Sequence, residues 1–97
     1  MAFTIATYNV LDLFDPEDAG SRGRLDRRIA KLASRLREAD ADVVALQEIA
    51  SKEALLALAR ATSSDYGEPI LARVDRRGIG CAILTRRPVL AVEMLDA

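Results

Sequence analysis

The chain contains no histidine. That removes a histidine general acid or base, a serine–histidine triad and any histidine-ligated zinc site from this polypeptide. Cysteine is almost as scarce: Cys81 stands alone, so no internal disulfide can form and nothing points to an oxidising compartment. Aromatic residues make up only 4% of the chain, which leaves few platforms for stacking nucleic-acid bases. No apolar run approaches the roughly 18 residues of a membrane span. Residues 1–4 form neither the basic nor the continuous apolar region of a signal peptide. A cytoplasmic protein is the default expectation. Net charge of one sign is missing too: 14 basic and 15 acidic side chains leave −1, so no global field draws the chain to nucleic acid or membrane.

What is present is a globular balance, 51% apolar and 30% charged. A chain of this size buries about 60–70% of its unfolded surface, enough for one core but not for two stacked sheets with helices outside. Twelve of the 14 cations are arginine, a side chain suited to bidentate phosphate contacts. Local basic runs occur at residues 22–28, at Arg76-Arg77 and at Arg86-Arg87.

Periodicity predicts the order β-α-β-α-β-β-β. Phe3 to Val10 reads as a buried strand, and Leu11 to Gly23 as a loop rich in turn residues and acids. Arg24 to Glu38 reads as an amphipathic helix, with Leu25, Ile29, Leu32, Ala33 and Leu36 on its apolar face. Arg27, Arg28, Lys31 and Arg35 fall on the remainder, most simply a solvated face. Val43 to Leu46 is apolar throughout, as expected of a parallel strand covered on two sides. Ser51 is positioned to cap a second helix running to about Thr62, with Glu53 in its first turn and Leu55, Leu58 and Ala59 inward. Strands are expected at Glu68 to Val74, Cys81 to Thr85 and Val89 to Leu95, the last two joined by a solvated corner at Arg86-Arg87-Pro88. Cys81 should be buried. Right-handed crossovers place both helices on one face of the sheet. Val43 and Leu46 cannot both join Val44 there, so a second apolar face needs a cover that the chain does not contain.

Two strand ends carry the chemistry. The run Thr4-Ile5-Ala6-Thr7-Tyr8-Asn9-Val10-Leu11 delivers an asparagine, and Asp42-Val43-Val44-Ala45-Leu46-Gln47-Glu48 delivers a carboxylate. Joined by one helix as parallel neighbours, these strands bring Asn9 and Glu48 side by side where open α/β sheets bind ligands, at the carboxyl ends of parallel strands. Mg2+ takes one or two carboxylates together with water and phosphate oxygens, so Glu48 and Asn9 suit such an ion and a phosphate beside it. The plainer readings are a strand-end amide that satisfies backbone groups and a solvated loop acid. Gln47 reads as a structural hydrogen-bonder, and Asp12 and Asp15 as weaker metal candidates.

In these segments, and in Arg77-Gly78-Ile79-Gly80-Cys81-Ala82-Ile83-Leu84-Thr85-Arg86, the sequence resembles the N-terminal half of the endonuclease/exonuclease/phosphatase superfamily, the DNase I-like group. The three segments lie in the right order across almost the whole chain. The resemblance implies that residues 1–97 are half of a four-layer α/β sandwich, a mixed sheet with helices on one face, whose bare face packs on a second sheet. It implies metal-dependent hydrolysis of a phosphodiester or phosphomonoester, with Glu48 as the metal ligand, Asn9 as an active-site asparagine and metal contact, Mg2+ or Mn2+ as cofactor, and Arg77 near the substrate phosphate. The plainer reading of Arg77 is a turn residue beside Gly78.

The family also uses an Asp-x-Asn pair and an Asp-His pair, and this chain contains neither. The partners expected are therefore a phosphate ester, nucleic acid among the options, and either the other half of the domain or a second copy over the bare face. A non-catalytic α/β module that self-associates or binds a partner through that face is the alternative. A phosphate-switched receiver ranks last, because Asn9 and Glu48 stand where receivers carry acids.

Overall fold

A computed structural model describes residues 3–13, 18–72, 76 and 79–93. Its element order is β1 (Ile5–Leu13), α1 (Ala19–Ala39), β2 (Val43–Ile49), α2 (Lys52–Thr62), β3 (Ile70–Leu71) and β4 (Gly80–Thr85). The four strands form one mixed sheet in the order β1-β2-β4-β3. β1 runs parallel to β2, while β4 is antiparallel to both of its neighbours. Among the described residues no helix is long and apolar enough to cross a membrane.

Helix α1 starts five residues before the expected Arg24. The loop reading of Asp18 to Gly23 is corrected by a reciprocal cap. Asp18 Oδ1 accepts from Ser21 N at 2.8 Å, and Ser21 Oγ accepts from Asp18 N at 3.0 Å. These bonds satisfy two otherwise orphaned amides and carry Gly20 and Gly23 into the helix despite their poor propensity. The Ser21 amide also holds the Asp18 carboxyl below its ordinary range. Helix α2 begins as expected, with Ala54 N donating to Ser51 Oγ at 3.0 Å.

The end of α1 is fixed by a cluster in which Arg86 is not the solvated corner charge expected from sequence. Asp40 caps α1 at φ 47°. Arg86 donates to Asp40 Oδ1 at 2.9 Å and to the Asp40 carbonyl at 2.7 Å. Its guanidinium also lies 5.5 Å from the Tyr66 ring centroid. Tyr66, buried, donates its hydroxyl to the Ala41 carbonyl at 2.5 Å. Burial pushes the Tyr66 hydroxyl above its ordinary value, opposed by the charge of Arg86.

Both helices cover the same face. Val44, Leu46, Ala82 and Leu84 point into one core with Ile29, Leu32, Leu36, Leu55 and Leu58. Each large apolar side chain buried here stabilises the fold by about 1.5–3 kcal/mol before entropy is counted. Leu46 is fully buried beside Val44 on the helix side, so the open face is built from the other alternation: Ile5, Val43, Ala45 and Ile83. Ile5 is 64% exposed and Ile83 42% exposed, which makes this a bare apolar surface in the chain by itself. Cys81 shares that alternation and is exposed, not buried as expected.

The fifth strand is absent across residues 89–93, and residues 94 and 95 of the expected span lie outside those described. β4 already has β2 on one side and β3 on the other, so the chain cannot turn back at Arg86-Arg87-Pro88 to form a hairpin beside β4 where β3 already pairs. Val89, Leu90 and Val92 are accordingly exposed. The third strand is shorter than expected, with Ala72 N adding one further bond to Cys81 O at 2.7 Å; residues 73 and 74 lie outside the described residues.

Candidate active site

The parallel register of β1 and β2 pairs Tyr8 with Leu46 and Asn9 with Gln47, so Glu48 follows one residue beyond the partner of Asn9. Asn9 and Glu48 therefore lie close in register on adjacent parallel strands, although β1 continues to Leu13, four residues past Asn9 and into the span expected as loop from Leu11. Gly80 of β4 pairs with Ile49, which brings the start of β4 to the rim where β2 ends. Asp15 and Arg77 lie outside the described residues, and Asp12 belongs to β1 at a position whose side chain is not described.

The rim is irregular in a way no sequence pattern announced. Leu46 pairs with Ala82 and Ile49 with Gly80, so three steps along β2 match two along β4. Leu46 and Ile49 are both buried on the helix side, although residues three apart in a regular strand face opposite ways. A bulge at Gln47–Glu48 absorbs the odd residue. Glu48 adopts φ 62°, in the left-handed region that favours glycine. Such a backbone costs a non-glycine residue about 1–2 kcal/mol. Glu48 is half-buried at this bulge, one residue beyond Gln47, the strand partner of Asn9. Bulges recur beside active sites because they re-aim a side chain.

Polar order extends along the open face. Gln47 Nε2 donates to Thr7 Oγ1 at 2.9 Å and lies 3.4 Å from the Ala45 carbonyl. Gln47 is thus the structural hydrogen-bonder expected. Thr7 was not singled out in the sequence; the available signal was a hydroxyl two residues before Asn9, on the same side of an otherwise apolar strand. The Thr7–Gln47 bond links β1 and β2 next to Asn9 and adds to the backbone register that pairs Asn9 with Gln47.

Glu48 and Asn9 offer oxygen donors of the kind a hard divalent cation takes. Among the described residues no cluster of three or more acidic, cysteine or histidine side chains forms a complete metal cage. The donor set fits Mg2+, which keeps several waters and shares its shell with substrate phosphate, better than it fits a metal that needs a closed protein cage.

The sequence matches the Endonuclease/Exonuclease/phosphatase family over residues 6–96. The chain belongs to this family, and its mixed sheet with two helices on one face is compatible with half of a DNase I-like sandwich. No curated protein and no solved structure gives a significant match.

Proposed function

We propose that the chain supplies the asparagine–glutamate portion of a Mg2+-dependent phosphoesterase site, acting on a phosphodiester or phosphomonoester. The observation that supports this reading is the positive-φ bulge at Glu48, one residue beyond the strand partner of Asn9, in a member of the endonuclease/exonuclease/phosphatase family. Glu48 and the Asn9 carbonyl oxygen would hold the divalent ion, which when bound supplies positive charge against the phosphoryl oxygens. The Asn9 amide donates to a phosphate oxygen and orients the ester at the rim. Gln47, held by Thr7, adds to the register that pairs it with Asn9. The acid–histidine portion that the family uses must come from outside these 97 residues, since the chain has no histidine.

In the natural gene product, release of nitrophenolate from bis(p-nitrophenyl) phosphate should stop in EDTA and return with Mg2+ or Mn2+. The 97-residue chain by itself should release none. Hydrolysis that continues unchanged in EDTA would remove the reading. The bare face with Ile5 and Ile83 favours the competing reading of a non-catalytic module, which expects no metal-dependent hydrolysis under any of these conditions.

A further inference from the structure

Helix α1 carries seven cations against Asp26 and Glu38, a net +5 in a chain whose total is −1. Its basic residues are not spread evenly round the axis. Arg24, Arg28, Lys31 and Arg35 follow at the i+4 and i+3 steps that stack side chains along one line of a helix. Each of the last three stands one residue before Ile29, Leu32 and Leu36, the buried line, so the cations flank the core on one side. Asp26 lies on the other flank, sharing a small cavity with Glu53 and Ala54 of α2. Glu38 continues the cationic line only at its far end, away from the start of the helix.

That flank borders the free edge of β1. A cleft of about 230 Å3 is lined there by Tyr8, Asn9, Arg28, Lys31 and Arg35. Arg35 Nη1 donates to the Tyr8 hydroxyl at 3.0 Å, which ties the line to the strand. The cations therefore lead along the helix to the strand that carries Asn9, more than the solvated face that periodicity alone implies.

We propose that this line is a docking track for the phosphate backbone of a nucleic-acid duplex, bringing the polymer to the Asn9–Glu48 rim. The proposal rests on the phosphoesterase reading and names the substrate class for it. Length separates a polymer from a monomeric phosphate: Arg24 to Arg35 spans about 16 Å at the α-helical rise, the axial length over which one duplex strand presents about five phosphates. Guanidinium groups engage phosphate oxygens bidentately, whereas a small sugar phosphate reaches only one or two of these positions. The cleft is lined by a single aromatic, Tyr8, so it offers no succession of stacking platforms. A surface of this kind reads a duplex backbone rather than unstacked bases.

The test is fluorescence anisotropy of a short labelled DNA duplex with the natural gene product in EDTA, so that binding is read without hydrolysis. Arg24→Gln combined with Lys31→Gln should weaken duplex binding about tenfold and lower the log–log salt slope by about 1.8. Lys52→Gln combined with Arg60→Gln removes equal charge from exposed positions on α2 and should leave both quantities unchanged. Asn9→Ala should abolish metal-dependent hydrolysis of bis(p-nitrophenyl) phosphate while leaving duplex binding in EDTA within about twofold, which tests the rim separately from the track. Equal weakening by the two double variants would overturn the proposal, as would no weakening by the α1 pair. Binding of polyglutamate or anionic vesicles as tightly as duplex would also overturn it.

Discussion

Leu46→Ala should destabilise the protein by about 2–5 kcal/mol, read as a fall in the urea midpoint at unchanged slope. Leu46 is fully buried on β2, a strand with a hydrogen-bonded neighbour on each side. Trimming its isobutyl group to methyl leaves a cavity that strands pinned on both edges cannot collapse to fill. A small domain has only about 5–15 kcal/mol of total stability, so the variant should sit near the edge of folding. Ile83→Ala provides the contrast. Ile83 lies on the bare face at 42% exposure, and its truncation should cost about 1 kcal/mol where that face meets water. A cost for Ile83→Ala equal to that for Leu46→Ala would show the open face covered in solution.

Glu48→Gly should move stability and activity in opposite directions. At φ 62° glycine meets no Cβ penalty, so the variant should gain about 1 kcal/mol over Glu48→Ala, which keeps the strain and loses the same carboxylate. In the natural gene product both variants should lose metal-dependent hydrolysis by at least about a hundredfold, the upper range for disturbing a metal's protein environment. A backbone strained only by accident would be relieved by glycine with no loss of activity. Stability held down for the sake of a ligand's direction is the pattern expected of a site residue.

The parts of the fold that proved legible were those set by local periodicity and by the ends of apolar runs. Ile29, Leu32, Ala33 and Leu36 repeat at helical spacing and are buried as read, and Ser51 caps α2 where its position before Glu53 announces it. Asn9 and Glu48 fall close in register because one helix joins two parallel neighbours, which leaves little topological freedom, although β1 runs on to Leu13 beyond the end its apolar run suggests. The start of α1 was misread because Gly20 and Gly23 look like loop residues one at a time. Only the reciprocal pairing of Asp18 with Ser21 carries them into the helix. The strand expected after Pro88 fails as a hairpin partner of β4 for a reason no local propensity contains, that β3 already pairs on that side. The bulge was hidden because glycine usually marks a positive φ and here a glutamate holds it. Arg86 shows the same gap: nothing at Arg86-Arg87-Pro88 tells that one guanidinium will bind Asp40 and lie over Tyr66.

The central claim is that the Asn9 amide and the Glu48 carboxylate converge on one divalent ion. Paramagnetic broadening by substoichiometric Mn2+ reads this directly in 15N-labelled protein. The account predicts that the Asn9 side-chain amide and the backbone amides of Gln47 and Glu48 broaden first, and that Glu48→Ala abolishes the effect. Broadening confined to other acidic positions, or unaltered by Glu48→Ala, would contradict it.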